Sequence, residues 1–262
     1  VDFDMGMPAF LGSVPAGELA EASAAWLGAA YGWDVDPGGV HILGDVMQGV
    51  ALAIEYFSGP EDPVVIPCPV YMPFFDVVRL SGRPEVRVPM VWDGHRWALD
   101  LDGIDQALAA GARTVLMCSP QNPLGRVFSV DELRALAAVV TRHDARVVSD
   151  EIHAALAFGA RHTPYAALSA ETAAHTITVL SASKAWNLPG LKCAQVVTST
   201  PADTEAWKRI PFWRTVGVST LGIEASLAAY RHGGEWLTAV AATLARNAAV
   251  VAEAVDGMPG VG

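Results

Sequence analysis

The sequence predicts an α/β chain built around a mostly parallel sheet, and three observations predict it. Short β-branched runs alternate with longer amphipathic segments along the 262 residues, the pattern of an α/β domain. Several of those runs are nearly all apolar, as expected of strands whose two faces are both covered by helices. Hydrophobic residues make up 52% of the chain and charged residues 17%. That is enough apolar material for one large domain, or one plus a fragment.

Taken in order, a helix is expected over roughly 18–31, with Leu19, Trp26 and Leu27 on one stripe and Gly32 as its stop. Asp45-Val46, preceded by Gly44, opens a second helix over 45–57. A strand at 63–66 leads into a helix at 71–82, and another strand follows at 114–118. Ser129-Val130-Asp131-Glu132 is a capping box whose acids complement the positive end of a helix over 130–143. Leu133, Leu136, Val139 and Val140 form its apolar stripe. Strands at 146–149, 176–180 and 194–198 complete the sheet, and helices are expected at 219–231 and 235–256. No interdomain linker interrupts this series. The final Met258-Pro259-Gly260-Val261-Gly262 reads as a turn leading onward.

The formal charge of −11 argues against nucleic acid and anionic membranes as partners. An anionic cofactor would need a locally built site. Prolines and charges are expected to keep every apolar run short of transmembrane length. The start, Val1-Asp2-Phe3-Asp4, lacks the basic opening of a signal peptide. Cys68, Cys118 and Cys193 are odd in number and widely spaced, which reads as free thiols in a reducing cytoplasm. The seven histidines show no metal-ligand spacing, so no metal is expected.

Lys184 carries the most chemical information. It lies in Ser181-Ala182-Ser183-Lys184-Ala185-Trp186-Asn187-Leu188-Pro189-Gly190-Leu191, directly after the strand at 176–180. Two serines beside an amine at a strand end suit a phosphate next to a carbonyl, hence a Schiff-base lysine for pyridoxal phosphate. Asp150 closes the strand at 146–149, at the usual ligand edge of a parallel sheet. It could pair with the pyridine nitrogen, or simply cap the next segment. Glu151 should point elsewhere, and no role is assigned to it. His153 could meet the ring hydroxyl, brace Asp150, or be an ordinary half-buried histidine. Asn122 sits in the Pro/Gly turn Ser119-Pro120-Gln121-Asn122-Pro123-Leu124-Gly125, where it could reach the ring oxygen or only shape the turn. Tyr71, after Pro67-Cys68-Pro69-Val70, could stack on the ring or belong to the core with Phe74 and Phe75. The helix start at Asp45-Val46 could bind phosphate or be a plain Asp N-cap. Ser181, Ser183 and Lys192 could complete the phosphate cup.

Together these strings resemble a fold-type I pyridoxal-phosphate enzyme of the class I/II aminotransferase superfamily, and most of all its cystathionine β-lyase-like C–S lyase branch. They are Asp45-Val46, Pro69-Val70-Tyr71, Cys118 to Gly125, Ser149-Asp150-Glu151-Ile152-His153 and Ser181 to Leu191. Aminotransferase relatives usually carry Tyr where this chain has His153, which favours the lyase branch. The resemblance implies a three-layer α/β/α large domain of the aspartate aminotransferase type. It implies pyridoxal 5'-phosphate as cofactor and Lys184 as its attachment point. Asp150 would then meet the pyridine nitrogen, Tyr71 the ring face, Asn122 the ring hydroxyl, and Ser181 and Ser183 the phosphate. The implied reaction is β-elimination from L-cysteine, cystathionine or a cysteine S-conjugate, in a homodimer. Aminotransfer is the alternative, and a cofactor-bearing regulatory protein a third. The implied organisation is an N-terminal segment 1–17, a cofactor domain 18–257, and 258–262 as the start of a small domain that would bring the substrate-carboxylate arginine. The family's Gly-Tyr segment finds no match between Phe10 and Val14.

Overall fold

The structure, a computed structural model, describes residues 14–256 and 258. The expectations for the Phe10–Val14 region and for the final residues therefore fall largely outside the described residues. Helix α1 spans Val14–Tyr31 and is followed by strand β1 at Val40–Leu43 and helix α2 at Val46–Phe57. Next come β2 (Val64–Cys68), α3 (Pro73–Leu80), β3 (Glu85–Pro89), the short β4 (Val91–Trp92) and β5 (Trp97–Ala98), and α4 (Leu101–Ala109). Strand β6 (Thr114–Cys118) leads to α5 (Val130–Arg142), β7 (Arg146–Asp150), α6 (Ala170–Ala174), β8 (Thr176–Leu180) and β9 (Ala194–Thr198). Helices α7 (Pro201–Trp207), α8 (Phe212–Thr215), α9 (Thr220–His232) and α10 (Gly234–Val255) close the series.

Among the described residues, seven strands form one sheet in the order β1-β9-β8-β7-β6-β2-β3. Strands β8, β7, β6, β2 and β3 pair in parallel, whereas β9 runs antiparallel to both β8 and β1. Since β1 opposes β9, it points the same way as the parallel set. The C-terminal ends of six strands and the start of β9 therefore share one edge.

Strand alternation feeds two cores. Leu116, Val148, Ile177, Val179 and Val196 pack with α2 and α3 on one face. Val65, Val115, Met117 and Val147 pack with α4 and α5 on the other. A further cluster joins α1 to Val40, Leu180 and Val197. This is the expected three-layer α/β/α arrangement. The capping box forms as read: Ser129 accepts from the Glu132 amide while the Glu132 carboxylate accepts from the Ser129 amide.

The sequence reading missed β1, β3, β4, β5, α4 and the short helices α6 to α8. It also placed every apolar run below membrane length, and α10 corrects that. At 22 residues, with an 18-residue stretch of mean hydropathy 1.2, α10 is long and apolar enough to cross a membrane by length and composition. Arg246 lies near its middle, and a central arginine disfavours insertion by roughly 2.5–3.5 kcal/mol.

Close packing of α2 on the sheet depends on Gly49. A Cβ there would sit 2.8 Å from Val179 Cγ1 and 2.9 Å from Val196 Cγ2. Gly49→Ala gains about 1 kcal/mol of helix propensity, but overpacking costs roughly 1–3 kcal/mol. The urea midpoint should fall; a rise would show that the two valine methyls yield freely.

Candidate active site

The shared sheet edge assembles the site. Leu43 ends β1 before Asp45 and Val46, and Cys68 ends β2 before Tyr71. Cys118 ends β6 before Asn122, Asp150 ends β7, and Leu180 ends β8 before Ser181, Ser183 and Lys184. Lys192 and Cys193 precede β9, whose reversed direction brings its start to the same edge. Asp45, Val46, Tyr71, Asn122, Asp150, His153, Ser181, Ser183, Lys184 and Lys192 all line one cavity of about 310 Å³. Every site residue singled out from the sequence is thus brought together. Met47, Cys118, Ile152, Pro189 and Cys193 also line the cavity and were not anticipated. Cys118, Ile152 and Pro189 lay within the motif strings without being singled out for the site, and Met47 and Cys193 directly follow Val46 and Lys192.

Asp150 is 3% exposed and continues the face of Val148. One carboxylate oxygen accepts the Ile152 amide at 3.1 Å. Burial pushes its pKa from the ordinary 3.8 up to about 7; the Ile152 bond and the Lys184 charge pull down, and Glu151 pushes up. Glu151 faces the opposite side of the strand end, 2% exposed. It accepts from Ser149 Oγ at 2.8 Å and the Tyr165 amide at 3.0 Å, and pairs with His162 Nε2 at 2.8 Å. The sequence reading that Glu151 points elsewhere agrees with this geometry.

Tyr71 lies just before α3 and is 40% exposed, whereas Phe74 is fully buried. The core role considered for Tyr71 belongs to Phe74. The two rings meet edge-on at 6.1 Å. Gln121 holds the Asn122 turn, donating from Nε2 to Pro69 O at 2.9 Å while its own amide bonds Arg126 O at 2.8 Å. That bond ties the turn after β6 to the segment carrying Tyr71. His153 is half-buried, and burial followed by the Lys184 charge lowers its pKa.

The phosphate end departs from the simplest reading. Asp45 is the N-cap of α2, accepting the Gln48 amide at 2.9 Å. Its other oxygen takes Lys192 Nζ at 3.2 Å. Asp45 therefore fills part of the helix terminus with its own carboxylate, and the Val46 and Met47 amides are left for an anion. Ser181 Oγ is largely committed, donating to Cys193 O at 2.7 Å and accepting the Ser183 amide at 3.0 Å. Lys192 is at φ 54°, a left-handed position, and lines the cavity. Cys118 and Cys193 are held as thiols, their pKa values pushed to about 12 and about 11 by burial.

The donor set is chemically specific. An amine, a buried carboxylate, an amide, a phenol, two hydroxyls and free helix amides suit a flat heterocycle bearing a carbonyl, a basic nitrogen, a hydroxyl and a phosphate. The cavity volume falls within the range of small-molecule sites. The residues present fit pyridoxal phosphate.

Comparison with known proteins agrees. The family model described as aminotransferase class I and II matches residues 5–261. The chain belongs to that family. It is 40% identical over 207 residues to cystathionine beta-lyase of Corynebacterium glutamicum, covering 79% of this chain and 55% of that protein. It is 30% identical over 243 residues to cystathionine beta-lyase PatB of Bacillus subtilis, covering 90% of this chain and 62% of that one. The crystal structure of cystalysin from Treponema denticola, which contains a pyridoxal 5'-phosphate cofactor, superposes with a TM-score of 0.86 at 26% identity. That match covers 92% of this chain and 62% of cystalysin. The chain thus spans less than two thirds of the length of these relatives.

The shifted carboxylate gives a signed prediction for the cofactor-free chain. A raised carboxylate pKa means that the folded state holds a proton the unfolded state has released. Stability should therefore fall as pH rises from 3.8 through about 7. His41, lowered from 6.5 to about 4 by burial and then Lys208, acts in the opposite sense between those values. The readout is therefore the difference between wild type and Asp150→Asn. The variant's melting temperature should gain on wild type as pH rises across this window; parallel curves would refute the shift.

Proposed function

We propose that this chain carries the cofactor-binding part of a pyridoxal 5'-phosphate-dependent carbon–sulfur β-lyase. Its substrate is L-cysteine, cystathionine or a cysteine S-conjugate, and its products are a thiol, pyruvate and ammonia. The observation that carries this reading is the meeting of Lys184, Asp150, Tyr71 and Asn122 in one cavity. Similarity to proteins named cystathionine beta-lyase supports elimination at the β-carbon. A homodimer is the working assembly that this reading implies.

The cofactor, when bound, supplies an electron sink for negative charge at the substrate α-carbon. Lys184 Nζ would hold it, and once free would take the α-proton as general base. Asp150, poised near neutrality by burial, would share a proton with the ring nitrogen and stabilise it in the charged form. Tyr71 would cover one ring face, leaving the phenol at the cavity mouth. The Asn122 amide would donate to the ring oxygen, with His153 beside it. The Val46 and Met47 amides, Ser183 and Lys192 would orient the phosphate, with Ser181 bracing that corner.

Incubation of the full chain with L-cysteine and with cystathionine should release thiol and pyruvate in equal amounts. Lys184→Ala should lower turnover at least about 10³-fold, within the span of general-base contributions; undiminished turnover would end the assignment. A keto acid that retains its side chain, without thiol, would instead support aminotransfer, the reading that the family description favours.

A further inference from the structure

Lys184 is exposed and lies in a loop of turns that holds one short 3-10 helix, Pro189–Leu191. An amine that must meet a substrate carbon needs a fixed origin. Within the loop, the Trp186 amide donates to Ala182 O at 3.1 Å and the Leu188 amide to Ser183 O at 2.8 Å. Two indoles then fasten the loop to a distant part of the chain. Trp186 Nε1 donates to Gly233 O at 2.9 Å, and Trp236 Nε1 donates back to Ala185 O at 3.3 Å. The first bond runs from loop to helix junction and the second from helix to loop.

The surroundings are built for the first bond. Trp186 is 8% exposed. Its ring meets Trp26 edge-on at 5.8 Å and Tyr230 edge-on at 5.5 Å. A Cβ on residue 233 would lie 2.1 Å from Trp186 Nε1, so only glycine leaves room for the indole. Ala185, immediately after Lys184, is itself 2% exposed. Neither Trp186, Gly233 nor Trp236 lines the cavity.

We propose that Trp186, with Trp236 as its reciprocal partner, is the positioning residue of Lys184: two indole-to-carbonyl bonds tie the lysine loop to the α9–α10 junction and fix the origin of the amine. The inference rests on the reading of Lys184 as the reactive amine and gives a task to residues outside the cavity.

Trp186→Phe keeps a buried ring and removes the donor. In the full chain freed of cofactor, hydrogen exchange at the Trp186 and Leu188 amides should quicken about fivefold, the worth of one hydrogen bond. Covalent capture of added pyridoxal phosphate, read by its visible absorbance, should slow by about the same factor. Trp236→Phe removes the longer bond from a side chain that is 54% exposed, and should move both readouts about twofold. It serves where Trp186→Phe does not fold. Trp207→Phe alters another buried indole, stacked on His41 outside this cluster, and should leave both rates unchanged even where it lowers the melting temperature. Wild-type exchange and capture in Trp186→Phe, or in Trp236→Phe where the first does not fold, would overturn the proposal. Undiminished capture in Lys184→Ala would instead overturn the reading of Lys184, whatever the exchange rates show.

Discussion

Burial of the Asp150 carboxylate is the constraint on which the site depends. A carboxylate withdrawn from water is costly unless it is bonded or protonated. Here it keeps one backbone bond, to Ile152, and its proton affinity rises toward neutrality. Such a group is suited to a proton-bearing cation in the adjoining cavity. The position is possible because β7 is a central strand, flanked by β6 and β8, so that its end is walled on both sides.

Two adjacent acids meet different fates because successive strand residues face opposite sides. Asp150 turns toward the cavity, while Glu151 turns toward Ser149, His162 and the Tyr165 amide. Glu151 thereby holds the segment that returns from β7 toward α6. His162 Nδ1 is buried without a hydrogen-bond partner. A proton on His162 Nε2 lets the ring donate to the Glu151 carboxylate, 2.8 Å away. The negative charge on that side opposes ionisation of Asp150.

The other parts of the site are braced by side chains that do not line its cavity. Gln121 joins the turns after β2 and β6. Arg126 makes two bonds of 2.7 Å to Glu132 and so ties the Asn122 turn to the first turn of α5. Gln48 Nε2 donates to Arg214 O at 2.8 Å, fastening α8 to the start of α2. The Gln121 and Gln48 contacts cross 52 and 166 residues of sequence, whereas the Arg126–Glu132 pair is local.

The sequence by itself determined the α/β class, the inner strands β6, β8 and β9, and which residues to gather as one candidate site, and these do line a single cavity. Buried strands read as unbroken apolar runs, and strand ends marked by Asn122, Asp150 and Lys184 stand out against them. Strand β3 was illegible because it lies at the sheet edge, where Glu85 and Arg87 interrupt the apolar pattern. Strand β1 is only four residues long, with His41 in its middle. What only the tertiary structure decided was pairing across distance. It set β9 antiparallel, so that Lys192 meets Asp45 and the helix start becomes partly self-capped. It also joined Trp186 to Gly233, 47 residues away. Local propensity and periodicity report on a residue's immediate neighbours along the chain; which strand ends share an edge, and which indole finds which carbonyl, depends on how the layers close.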